Sequence, residues 1–133
     1  MNKLNNILVI NGPNLNLLGK REPSIYGNKK LEDIENNLIK LGKKNLYDID
    51  CVQSNYEGKL IEIIQNASRS HSGIIINAGG YSHTSIALMD ALKSFNKPII
   101  PSVNVYNNQG KVLFSSVRRG QYKTDGSTSG SNR

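Results

Sequence analysis

Four short apolar runs, each closed by polar or turn residues and separated by stretches of helical spacing, constrain this chain more than any other feature. The first occupies residues 5–11, with Ile7-Leu8-Val9-Ile10 at its centre, and stops at Gly12-Pro13. The second is Tyr47 to Val52, the third is Gly73-Ile74-Ile75-Ile76-Asn77, and the fourth opens at Pro98-Ile99-Ile100. Continuous Ile and Val runs bounded by turn signals are what strands buried on both faces look like. Between the first two runs, apolar residues recur at Leu31, Ile34, Leu38, Ile39 and Leu41. Glu32, Asp33 and Glu35 come early there and Lys40, Lys43 and Lys44 late. That spacing and charge order predict a helix that complements its own dipole, and Gly42 is its expected stop. Lys59 to Ala67 predicts a second helix with Leu60, Ile61, Ile63 and Ile64 facing inward. Thr84 or Ser85 is the expected cap of a third helix over Ile86 to Ser94. Strand–helix alternation through four strands predicts an α/β domain with a central, doubly wound parallel sheet.

Several function classes drop out on composition. A chain of 133 residues suits one domain with a real core. No run approaches the roughly 18 apolar residues of a membrane span, and the first residues are too short and polar a stretch for a signal peptide. The single cysteine, Cys51, excludes an internal disulfide and a cysteine-based metal cluster, and is expected to be a small buried residue. Together these features predict a cytoplasmic protein. Of the net charge of +7, +4 falls in residues 111–133. A basic tail on a solvated surface accounts for this better than a nucleic-acid site, and an anionic small substrate suits the same charge. Residues 1–114 are expected to form the domain and residues 115–133 a polar, basic, poorly ordered tail, because Gly120 to Arg133 offers almost nothing apolar to bury.

Open α/β sheets bind ligands at the carboxyl ends of their strands. Two such ends here run into polar loops. After the first strand come Asn11-Gly12-Pro13-Asn14, then Arg21 and Tyr26. A phenol serves as a base near neutral pH only if a neighbouring cation stabilises its phenolate, which the guanidinium of Arg21 can do. The spacing equally fits a loop tyrosine that packs its ring while Arg21 sits in solvent. After the third strand come Asn77, Gly79, Gly80, Ser82, His83, Thr84 and Ser85. These either grip a carboxylate or hydroxyls, or merely close a turn and cap a helix. Asn55-Tyr56-Glu57-Gly58 after the second strand reads as a turn, with a ligand contact as the alternative. His71 has no polar company of this kind and reads as a surface loop residue. Glycine-rich dinucleotide and NTP motifs are absent, and no His, Cys or carboxylate cluster has metal-ligand spacing.

Asn11-Gly12-Pro13-Asn14-Leu15 with Leu18-Gly19 and Arg21-Glu22-Pro23-x-x-Tyr26-Gly27 closely resembles the opening signature of type II 3-dehydroquinate dehydratases. Gln53-Ser54-Asn55-Tyr56-Glu57-Gly58 is similar to the family's Gln-Ser-Asn-His-Glu-Gly segment. Ile76-Asn77-Ala78-Gly79-Gly80-Tyr81-Ser82-His83-Thr84-Ser85-Ile86-Ala87-Leu88 resembles its second signature. The resemblance covers roughly residues 5–100. It implies a flavodoxin-like three-layer fold, a closed assembly of twelve subunits, and neither metal nor organic cofactor. The implied reaction is loss of water from 3-dehydroquinate through an enolate, in the shikimate pathway of aromatic amino acid biosynthesis. In the matching roles Tyr26 removes the proton beside the ketone and Arg21 keeps the phenol ionised. Asn14 helps hold the water or oxygen that steadies the enolate. Asn77 and His83 bind the substrate, and Asp90 reaches a neighbouring subunit's site.

The resemblance breaks after Pro98. The family's general acid is a histidine that falls on Val103 without a gap, or on Asn104 with one inserted residue, and neither can protonate a leaving hydroxyl. Ser115 stands where a substrate-binding arginine is usual. Met89 stands before Asp90 in place of another arginine, and Tyr56 in place of a histidine. Loss of a general acid typically costs about 10²–10⁴ in rate. The expectation is a slow dehydratase, with a non-catalytic ligand-binding relative or partner subunit on the same scaffold as the alternative.

Overall fold

β1 (Asn5–Asn11) lies between β2 (Tyr47–Gln53) and β3 (Gly73–Asn77) and runs parallel to both. β4 (Ile99–Tyr106) continues the parallel sheet beyond β3, and β5 (Val112–Ser116) pairs antiparallel with β4, giving the order β2-β1-β3-β4-β5. The computed structural model describes residues 5–20, 27–106 and 112–116, from residue 102 onward by backbone alone. Among the described residues the connections carry four helices and a 3₁₀ turn at Leu15–Leu17. The helices are α1 (Leu31–Lys44), α2 (Glu57–Ser70), the single turn α3 (Tyr81–Thr84) and α4 (Ile86–Ser94). Four parallel strands with helices between them form the flavodoxin-like α/β fold that the sequence predicts. The antiparallel β5 is an addition that the sequence reading does not contain. Pro101 marks the handover. It is the last β4 residue in register with β3, opposite Ile76, and β5 pairing starts at Ser102. A residue without an N–H is tolerated where one ladder ends and the next begins.

The side-chain alternation of the strands divides the interior into two unequal faces. Leu8 and Ile10 of β1, Ile74 and Ile76 of β3 and Ile99 of β4 share one face. They pack with Leu60, Ile64 and Ala67 of α2, Leu88, Ala91 and Leu92 of α4, and Phe95. Each fully buried side chain of this size contributes about 1.5–3 kcal/mol relative to exposure, so this face carries most of the core. Ile61 and Ile63 of α2 are only partly buried against it. On the opposite face Val9 is buried, but Ile100 is 45% exposed, and α1 lies against β2 with Gly42 as its one buried residue.

Gly42 is not the stop the sequence suggested, since α1 continues to Lys44. A Cβ on Gly42 would stand 2.4 Å from Cγ1 of Ile49, so the glycine is there to let β2 approach the helix. The chain turns instead at Leu46, which takes a positive φ of 66°. α2 is likewise longer than expected, taking in Glu57 and Gly58, so Gly58 is helical rather than the residue that turns the chain. Ser85 does cap α4, its Oγ accepting from the Leu88 N–H at 2.9 Å. Among the described residues no helix is long and apolar enough to cross a membrane.

Candidate active site

The chain leaves β1 to one side of the sheet through α1 and β2, then crosses to the other side to form β3. Between β1 and β3 the connections therefore diverge, opening a crevice outside the carboxyl ends of the strands, where ligands of such sheets bind. Three amide side chains stand in a row there. Asn11 ends β1, with Gln53 of β2 on one side and Asn77 of β3 on the other, all in register. Asn11 and Asn77 are both buried, at 7% exposure.

The loops above this row are locked to one another. The Gly12 N–H donates to the Asn77 carbonyl at 2.8 Å, and the Ser54 N–H to the Asn11 carbonyl at 3.0 Å. Gly12 is required by proximity, because a Cβ there would lie 2.6 Å from the carbonyl oxygen of Ala78. Gly79 has a φ of 59° and approaches the Pro13 carbonyl. Asn77 Oδ1 accepts from the Gly79 N–H at 3.1 Å. Gln53 Nε2 donates to the Gly12 carbonyl at 3.1 Å and to Asn55 Oδ1 at 3.1 Å, and Asn55 Oδ1 also accepts from the Asn14 N–H at 3.0 Å. The Tyr81 hydroxyl donates to the Asn55 carbonyl at 3.3 Å. Ser85, 5% exposed, donates its hydroxyl to the Glu57 carboxylate and so joins the start of α2 to the start of α4.

Of the residues singled out from the sequence, Asn14 is exposed beside this network in the left-handed conformation, with φ 71° and ψ −5°. Asn77 is buried at its floor, and His83 is exposed on α3, four residues beyond Gly79. Asp90 is exposed on α4, and among the described residues no hydrogen bond or ion pair ties it to this network. Arg21 and Tyr26 lie outside the described residues. The chain on either side of them closes to a neck, since a Cβ on Gly19 would stand 2.7 Å from the Asn28 carbonyl oxygen. The reading of Asn55 to Gly58 as only a turn undervalues it, because Asn55 and Glu57 each hold a neighbouring loop. Asn11 and Gln53 stand in the quoted motifs, but the sequence reading gives neither a place in the site. The available signal was an amide at the last position of three successive strands, which becomes one row only once the register is known.

Two further expectations change. His71 has polar company: its Nε2 pairs with Asp50 Oδ2 at 2.8 Å and its Nδ1 with Ser70 Oγ at 2.7 Å, and its side chain is 12% exposed. The partners are supplied by β2 and by the end of α2, away from the crevice. Cys51 is half-buried rather than buried. Burial, and then the Glu35 and Asp50 charges, push its thiol up to about 11. Glu35 is itself raised by burial, with the Asn11 side chain pulling it back and Glu32 adding to the rise. Among the described residues no three His, Cys, Asp or Glu side chains gather as metal ligands.

Chemically, the crevice offers neutral amide donors and acceptors of fixed direction, with an exposed histidine at its rim. Comparison with known proteins identifies the family. Residues 5–121 match the model of the family described as Dehydroquinase class II. The 3-dehydroquinate dehydratase of Prochlorococcus marinus subsp. pastoris is 55% identical over 95 residues, 71% of this chain and 65% of that protein. That of Clostridium botulinum is 57% identical over 98 residues, 73% of this chain and 66% of that protein. The crystal structure of type II dehydroquinase from Butyrivibrio crossotus superimposes with a TM-score of 0.70 at 45% identity, covering 73% of this chain and 68% of that one. The chain thus spans just under two thirds of the length of the curated relatives that it matches.

Proposed function

Because the chain belongs to the class II dehydroquinase family, we propose that it is a 3-dehydroquinate dehydratase, a lyase that removes water from 3-dehydroquinate to give 3-dehydroshikimate. The observation that carries this reading is the junction of two strand-end loops at the switch point of the sheet. The Gly12–Asn77 hydrogen bond and the Pro13–Gly79 approach bring the loop of Asn14 against the loop of His83. The net charge of +7 suits an anionic substrate.

In this mechanism Arg21 holds the Tyr26 phenol as phenolate, and Tyr26 takes the proton from the carbon beside the ketone. The electron pair moves into an enolate, whose oxygen is steadied by Asn14, directly or through a water. Asn77 and His83 hold the substrate's hydroxyls and carboxylate region. The enolate then collapses, forming the carbon–carbon double bond and expelling the hydroxyl, which leaves as water once protonated. With Val103 or Asn104 in place of the family's histidine, that last proton comes from solvent and turnover is slow by about 10²–10⁴. The enzyme works in the cytoplasm as a homododecamer in which Asp90 reaches a neighbouring subunit's site. Ile86 and Tyr56, 85% and 75% exposed near the crevice, are apolar surface that such a neighbour would cover.

The test is direct. Purified protein is mixed with 3-dehydroquinate, and the ultraviolet absorbance of the conjugated enone acid is followed, with Tyr26→Phe as control. Turnover in the parent that falls by at least about 10²-fold in the variant supports the reading. Saturable substrate binding without turnover overturns it.

A further inference from the structure

We propose that Asn55 is a positioning residue for the dehydration, holding Asn14 in the left-handed conformation from which it meets the enolate; the proposal rests on the dehydratase reading above. Asn14 sits at φ 71°, a region that residues with a Cβ disfavour and asparagine tolerates best. Such a residue stays there only if its surroundings hold it. The hold is specific: the Asn14 N–H donates to Asn55 Oδ1 at 3.0 Å.

The direction of the Asn55 amide is itself determined. Its oxygen takes a second hydrogen bond from Gln53 Nε2 at 3.1 Å, so flipping the amide would set –NH₂ against two donors. Gln53 is anchored in turn, because the same Nε2 donates to the Gly12 carbonyl two residues before Asn14. The Asn55 carbonyl receives the Tyr81 hydroxyl, from the helical turn that carries His83. One residue between β2 and α2 therefore touches both loops of the crevice. It is exposed and outside the core, so truncating it leaves the fold intact.

The experiment combines kinetics with an amide resonance. Asn55→Ala should lower kcat about tenfold, the factor one net hydrogen bond is worth, and change KM by less than about twofold. Asn55→Asp, whose carboxylate accepts from the same two donors, should recover most of kcat. In an Asn14→Ala background, adding Asn55→Ala should cost little more, because the two act as one unit. The backbone amide proton of Asn14, followed by NMR, should shift upfield and exchange faster in Asn55→Ala, and stay in place in Asn55→Asp. An Asn14 amide unmoved by Asn55→Ala overturns the proposal, as does a kcat loss that persists undiminished in the Asn14→Ala background. If the parent shows no dehydration, the functional reading falls and the kinetic role with it. The amide resonance then decides separately whether Asn55 fixes the loop.

Discussion

At the carboxyl ends of the strands, Gln53, Asn11 and Asn77 stand in register, and Asn55 extends their hydrogen bonding to Asn14. Towards the amino ends, below the last turn of α2, Asp50 pairs with His71 and Ser70 binds the same ring. Lys97 Nζ lies 2.8 Å from the carbonyls of Ser68 and His71, its ammonium placed where a helix C-terminus favours a cation. Both regions close a loop against a strand, but with different means. The amide end relies chiefly on neutral groups whose directions are fixed one by one, with the Glu57 carboxylate on Ser85 beside them, which suits placing a substrate. The other end uses ionisable groups on the terminal carbonyls of a helix, which suits sealing that helix to the sheet. Position and stability are thus handled at opposite ends of one sheet.

The sharpest way to break this division is Gly12→Ala. A methyl 2.6 Å from the Ala78 carbonyl must push the two crevice loops apart. Overpacking of this kind costs about 1–3 kcal/mol in stability, and misplacing reacting groups costs activity of order 10²-fold. Thermal melting and the enone assay on one sample read both, and activity should suffer far more than stability. Next comes His71→Ala, with the opposite signature. It removes two hydrogen bonds of about 1 kcal/mol each, so unfolding in urea should show a loss of about 1–2 kcal/mol with turnover per folded molecule unchanged. A fall in kcat there would join the two regions and defeat the comparison. The smallest effect belongs to Glu35→Gln. The folded protein holds the Glu35 carboxyl above its ordinary value, so the charged form is disfavoured by folding. That contribution to stability is full below the unfolded pKa and disappears as pH rises through the folded one. At neutral pH Gln should therefore stabilise, by a few tenths of a kcal/mol after solvent screening, and the gain should vanish towards pH 4. A gain that persists at pH 4 would assign the effect to something other than the charge.

Much of this was legible in the sequence because it depends on neighbours along the chain. Strands β1 and β3 were predicted residue for residue, since Ile and Val runs between turn signals need no partner to be recognised. The cap of α4 was legible too, because Ser85 bonds a backbone three residues on. What was missed depends on partners far away in sequence. Gly42 looked like a helix stop, but its reason is Ile49 pressed against it. His71 looked solitary because Asp50 lies 21 residues back. The amide row needed the register of three strands, and β5 needed β4 beside it, since Val112-Leu113-Phe114 alone is too short a run to decide.

The neutrality of that row has a consequence for enzymology. Amides neither gain nor lose protons across the range in which a protein stays folded. The hydrogen bonds that place Asn14 and join the two loops are therefore silent to acid and base. The titrating neighbour of this row is the Glu35 carboxyl against Asn11, which Glu35→Gln removes from a pH–rate profile. On the proposed dehydratase reading, an inflection that survives Glu35→Gln would belong to the groups that exchange protons with the substrate, the proposed Tyr26 base among them.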